Sequence, residues 1–211
     1  LKESDVIQIS PSHHFPTGVV TSISRRYAIL GWANESDDRY IIEDDYDSEF
    51  RLQGRPIPSL FSIDTSGKVI YFNTFSKTLA STIRISYMVL PYSLLERFKS
   101  ALGFYSCTVS NFEQYALATF IMDGYLERHI NRMRIQYKAI RDQLIDQIKS
   151  SWLAPYISIS QENAGLHFLL DIDTDMTDKQ LKEKALDMGI AVSFLSDYYD
   201  KTATGPAYLS D

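Results

Sequence analysis

Apolar positions along this chain follow two rhythms. Four short runs, residues 6–10, 40–42, 68–72 and 85–90, are bounded by turn-forming or charged residues, the pattern of buried strands. Between the first two, residues 20–34 place Ile23, Tyr27, Leu30 and Ala33 at helical spacing. Strand, helix and strand with short connections form the unit of a parallel sheet, whose crossovers are right-handed. After Pro91 helical spacing takes over: Leu94, Leu95, Phe98 and Leu102, a polar break at 106–111, and a helix over 113–123. A long helix is predicted from Tyr125 to about Ser150, with Ile130, Met133, Tyr137, Ile140, Leu144 and Ile148 as a stripe expected in the core. Residues 156–160 and 166–172 read as strands about a turn, 177–188 as an amphipathic helix and 190–194 as a further strand. The fold class is therefore α/β, without repeats or a Gly/Ser linker, and with a change of subdomain expected near residue 150. The chain starts almost directly in a strand and stops at Asp211 without a closing element, so both ends are expected to be cuts.

Composition narrows the class. The 211 residues are 45% hydrophobic and 13% aromatic, which is globular rather than disordered. A net charge of −6 argues against this segment being a nucleic-acid surface, which needs clustered Lys and Arg to displace counterions. The single cysteine, Cys107, has no intrachain disulfide partner and is expected to be a small buried hydrophobe. With no signal-peptide pattern and no apolar run of about 18 residues, the reading is a soluble, cytoplasmic protein.

Candidate chemistry sits where strands end. In parallel α/β sheets ligands gather beyond the carboxyl ends of the strands. The first strand runs into Ser10-Pro11-Ser12-His13-His14-Phe15-Pro16-Thr17-Gly18, the second into Glu43-Asp44-Asp45-Tyr46 and the third into Thr74-Phe75-Ser76-Lys77. A lysine at a strand end, flanked by hydroxyls and followed by Arg84, suggests capture of a phosphate-bearing aldehyde. An ordinary ε-amine, with a pKa near ~10.4, is a poor nucleophile at neutral pH and needs such a cofactor or a depressed pKa. The acids between Glu43 and Glu49 could alternatively form a metal cluster, but no histidine lies within that run, and no metal is assigned. His129 and His167 read as structural.

Four ordered motifs carry a resemblance. They are Pro11-Ser12-His13-His14-Phe15-Pro16-Thr17-Gly18; Tyr40 to Arg51 continuing to Gly54-Arg55-Pro56-Ile57-Pro58; Thr74-Phe75-Ser76-Lys77-Thr78-Leu79-Ala80; and Tyr125-Leu126-Glu127-Arg128-His129-Ile130 with Arg132-Met133-Arg134. Together they resemble the aminotransferase-like domain of the MocR subgroup of GntR transcription regulators, over residues 6–199. The resemblance implies a fold-type-I pyridoxal-phosphate architecture, a mainly parallel sheet with flanking helices. Residues 1–135 would be part of a large cofactor-binding domain and 136–211 part of a smaller C-terminal one, with a winged-helix DNA-binding domain upstream.

Carried over by position, Lys77 would form the Schiff base with pyridoxal 5′-phosphate and Asp44 would face the pyridine nitrogen. A carboxylate there favours the protonated ring, which then serves as an electron sink. Tyr46 would hydrogen-bond the phenolic O3′, while Thr74, Ser76 and Arg84 would hold the phosphate. Strand alternation lets Asp44 and Tyr46 reach one ligand while Asp45 turns away. One departure is Phe15, where aminotransferases of this fold commonly carry Asn, with His13 or His14 as a possible substitute. The arginine that takes a substrate carboxylate is also missing, since no arginine follows Arg141. The resemblance thus implies a dimeric regulator domain that senses an amino-acid or amine effector through the cofactor; the alternative is a working class I/II aminotransferase.

Overall fold

The computed structural model describes residues 4–54, 57–163 and 165–199. Strand β1 (Val6–Ile9) leads to helix α1 (Ile23–Asn34), which Ser22 caps by accepting the Arg25 N–H. Strand β2 (Tyr40–Asp44), a short helix α2 (Leu60–Ile63) and strand β3 (Val69–Thr74) follow. Helix α3 (Phe75–Thr78) is a single turn, and β4 (Ser86–Val89) returns beside β3. The sheet order is β1-β2-β3-β4, with the first three strands parallel and β4 antiparallel to β3.

The two faces of this sheet differ. Alternate residues point to opposite sides, so Ile7, Ile9, Ile41, Glu43, Val69, Tyr71 and Asn73 share one face. There Ile41 and Val69 are fully buried under Leu30, Trp32 and Ala33 of α1 and Leu60 of α2, with Ile29 and Ile63 packed against them. Complete burial of one such aliphatic side chain is worth about 1.5–3 kcal/mol. The other face carries Val6, Gln8, Ile42, Asp44, Phe72 and Thr74; none is fully buried, and Val6 is 52% exposed.

Beyond the sheet lie α4 (Tyr92–Leu102), α5 (Asn111–Met122) and α6 (Tyr125–Lys149). Neither α4 nor α5 buries a residue, and Cys107 in the break between them is exposed, contrary to the expectation of a buried hydrophobe. The predicted stripe on α6 is only partly interior: Ile140 and Leu144 are exposed, and the buried residues are Arg141 and Ile145. The helix packs through a narrow face, where Tyr137 meets Phe50 edge-on at 5.3 Å and Arg134 donates twice to the Glu49 carbonyl.

A second sheet pairs β5 (Ile157–Ser160) with β6 (Leu169–Ile172) in antiparallel register, followed by α7 (Asp178–Asp187). The strand predicted at 190–194 does not form. Gly189, at φ 78°, ends α7 in a Schellman turn in which Ile190 N–H donates to Ala185 O and Gly189 N–H to Leu186 O. The first amide of that apolar run is thereby used up in closing the helix. Among the described residues, no helix is long and apolar enough to cross a membrane.

Candidate functional site

Because β1, β2 and β3 are parallel, their carboxyl ends share one edge, and antiparallel β4 begins there. The loop after Ile9, the acidic segment after Glu43, the Lys77 turn and Arg84 are thus collected by topology alone. At that edge a cavity of about 260 Å³ opens on the uncovered face, lined by Gln8, Ile42, Asp44, Phe72, Thr74 and Ser86 among others. Asp44 is half-buried in its wall and takes no hydrogen bond or ion pair among the described residues. Its carboxyl pKa is raised, first by burial and then by the charges of Asp45 and Asp47. A half-buried carboxylate among like charges favours a cation beside it.

Neighbouring Glu43 shows the contrast. It is fully buried on the opposite face, where it accepts the Leu60 and Phe61 N–H groups at 2.8 Å each and lies 3.8 Å from Arg26. Arg26 in turn donates to the carbonyls of Pro11, Thr21 and Pro58, fastening the loop after β1. The remaining acids are engaged separately: Asp45 accepts from Tyr71 and Ser48, Asp47 meets His13, and Glu49 accepts from Asn73. Among the described residues no three metal-ligating side chains converge.

The Lys77 turn is built to present Arg84. Thr74 caps α3 by accepting the Ser76 N–H, and its hydroxyl donates to Ile85 O at 3.3 Å. The Ser76 hydroxyl donates to Ile83 O at 2.8 Å. Both hydroxyl protons therefore go to the carbonyls on either side of Arg84. In this geometry Thr74 and Ser76 brace the arginine, and a phosphate at this edge would meet their oxygens only after those protons turn away. Lys77 and Arg84 are exposed and make no hydrogen bond or ion pair among the described residues. They stand at the same sheet edge as Asp44 but do not line its cavity.

Tyr46 leads to a cluster that sequence reasoning missed. Its hydroxyl donates to the His13 carbonyl at 3.0 Å, and burial followed by the charges of Asp47 and Asp44 raises its pKa. His13 is 1% exposed, its Nδ1 lies 2.7 Å from Asp47 Oδ2, and its ring packs at 4.1 Å against the His167 ring, tilted 42° to it. Burial and then His13 lower the His167 pKa, against the opposing charge of Asp47. His167 thus lies beside the site rather than apart from it; the only cue in the sequence was its place just after Gly165. His14 instead pairs with Thr17 Oγ1 at 3.1 Å, and Phe15 packs edge-on against His167 and Tyr198.

This arrangement of parallel strand ends, a lysine on the turn after the third and an acid on the second defines the class. Residues 5–199 match the family of aminotransferase class I and II, and the chain belongs to it. Within that class, it is 41% identical over 191 residues to the uncharacterized HTH-type transcriptional regulator YdeL of Bacillus subtilis (strain 168), a match covering 90% of this chain and 41% of the relative. Identity to the probable rhizopine catabolism regulatory protein MocR of Rhizobium meliloti is 36% over 191 residues, covering 90% of this chain and 38% of the relative. Among solved structures, Pyrococcus horikoshii kynurenine aminotransferase in complex with PMP superposes with a TM-score of 0.77 at 29% identity, covering 89% of this chain and 46% of that one. The resemblance read from the four motifs is borne out, as is the fold-type-I architecture. The chain spans less than half the length of each of these relatives.

Proposed function

We propose that the chain is the pyridoxal-phosphate-binding, effector-sensing part of a MocR/GntR-type transcription regulator. The observation that carries this reading is its 41% identity, over nine-tenths of its length, to an HTH-type regulator. The residues fit the cofactor. Asp44, half-buried among like charges, suits a protonated ring nitrogen; the Arg84 guanidinium suits a phosphate; and Lys77 stands at the rim with its amine unengaged by hydrogen bonds. When bound, the cofactor supplies an aldehyde that captures amines and a ring that accepts electron density.

The chain's own groups would then divide the work. Lys77 would hold the aldehyde carbon and Asp44 would keep a proton on the ring nitrogen. Tyr46 would donate to the phenolic oxygen. Arg84, braced by Thr74 and Ser76, would take the phosphate charge. An amino compound bound here would matter to the attached DNA-binding domains only if it favoured one of their arrangements over another. Residues 1–135 and 136–211 belong in this reading to the large and small domains of a cytoplasmic homodimer, and DNA is met through an upstream domain.

A second reading, a working aminotransferase, is favoured by the 29% identity to the kynurenine enzyme. In it the Lys77 amine would also move the substrate proton, a role that tolerates little misplacement. Stopped-flow spectra of the full-length holo-protein with amino acids and γ-amino acids separate the two. A sensor gives rapid amine exchange without keto-acid production. Multiple turnover with a keto-acid acceptor overturns the sensor reading.

A further inference from the structure

The loop that carries His13 and the turn before β6 are locked together at two glycines. A Cβ on Gly18 would fall 2.8 Å from the Gln161 Cβ, and one on Gly165 would enter the His13 ring. Both glycines have positive φ, 71° and 70°, so each position is doubly closed to a side chain. Between them His13 is buried. Asp47 takes its Nδ1, His167 covers its ring, and its Nε2 is buried without a hydrogen-bond partner. The loop behind it is pinned by Thr21 N–H to Pro11 O at 2.9 Å and His14 N–H to Val19 O at 3.0 Å. The His13 carbonyl is therefore a fixed acceptor, and it holds the Tyr46 hydroxyl at 3.0 Å.

A phenol has one proton to donate. We propose that His13 is a positioning residue whose carbonyl competes with the cofactor's phenolic oxygen for the Tyr46 proton, with the second sheet, acting through Gly165 and His167, setting the strength of that competition. The inference rests on the assignment above that Tyr46 serves the cofactor. It makes seam and cofactor reciprocal: a rigid seam weakens the cofactor's hold, and a bound cofactor that takes the proton loosens the loop from Tyr46. Any ligand that shifts the second sheet would thereby adjust the cofactor site without touching it.

The test is a double-mutant cycle on the full-length protein, reading pyridoxal-phosphate affinity by titration of the bound cofactor's visible absorbance. His167→Ala removes the ring that backs His13 and leaves Lys77, Asp44, Tyr46 and Arg84 in place. It should bind cofactor about fivefold more tightly than wild type, with no such gain in a Tyr46→Phe background. His167→Phe, which keeps an aromatic ring against His13, should behave as wild type. Should the alanine variant not fold, His167→Leu fills the space without an aromatic ring and is read in the same cycle. An equal change with and without the Tyr46 hydroxyl, or weaker binding on loss of the ring, overturns the proposal. Absence of saturable binding by the wild type would instead strike at the cofactor assignment itself.

Discussion

On β2, Glu43 and Asp44 are neighbours in sequence and face opposite sides of one sheet. Glu43 lies under α1 and α2 with two backbone donors and a buried arginine, while Asp44 looks into an open cavity with no side-chain partner among the described residues. The same functional group thus does two jobs according to the side of the pleat on which it falls. The covered face uses its acid to tie α2 and the loop after β1 to the sheet. The open face leaves its acid uncompensated, which is a cost to the isolated fold and an asset to a cationic ligand.

The largest expected effect is on the covered side. Glu43→Ala strands Arg26, which is wholly buried, and removes the acceptor of two amides, so it should destabilise the protein by about 3–5 kcal/mol in urea denaturation. Asp44→Ala should cost the cofactor-free protein nothing measurable. If the two substitutions were equally damaging, the contrast between the faces would be lost.

Next comes cofactor affinity. Asp44→Asn should weaken pyridoxal-phosphate binding roughly tenfold or more, the equivalent of about 1.4 kcal/mol. Asp45→Asn, whose carboxyl is occupied by Tyr71 and Ser48, should instead show as lost stability. Equal losses of affinity would refute the assignment. Arg84→Ala should weaken binding more than Ser76→Ala, because the hydroxyl acts by holding the Ile83 carbonyl beside the arginine.

The smallest effect is the pH dependence. The Asp44 carboxyl is raised above its ordinary value, so the folded state binds its proton more tightly than the unfolded chain does. The stability this contributes is fully present below the unfolded value of about 4 and is lost as pH rises through the folded one. Urea midpoints of the cofactor-free protein should therefore include a decline with rising pH that Asp44→Asn removes. Glu43 and Glu49, also raised chiefly by burial, add to the wild-type slope and persist in that variant.

Much of this contrast was legible in the sequence. Short apolar runs located all four strands of the first sheet, and period-two alternation already separated Asp44 from its neighbour Asp45. What could not be read was long-range pairing. Asp47 meets His13 across 34 positions, and nothing local to either residue announces it. The same limit hid the buried Arg26 and the seam at Gly18 and Gly165. The expected strand at 190–194 failed for a local reason: apolar spacing carries no signal of the amide already spent on closing α7. Ile140 and Leu144 have the right period, but they stand at the edge of the narrow contact that α6 makes and stay exposed.

The most direct test concerns Lys77. Full-length protein loaded with pyridoxal phosphate, reduced with borohydride and digested for peptide mass mapping should carry a phosphopyridoxyl group on the peptide containing Lys77. The adduct should vanish in Lys77→Ala. A stable adduct on another lysine with Lys77 unmodified, or cofactor labelling undiminished by that substitution, would contradict the site described here.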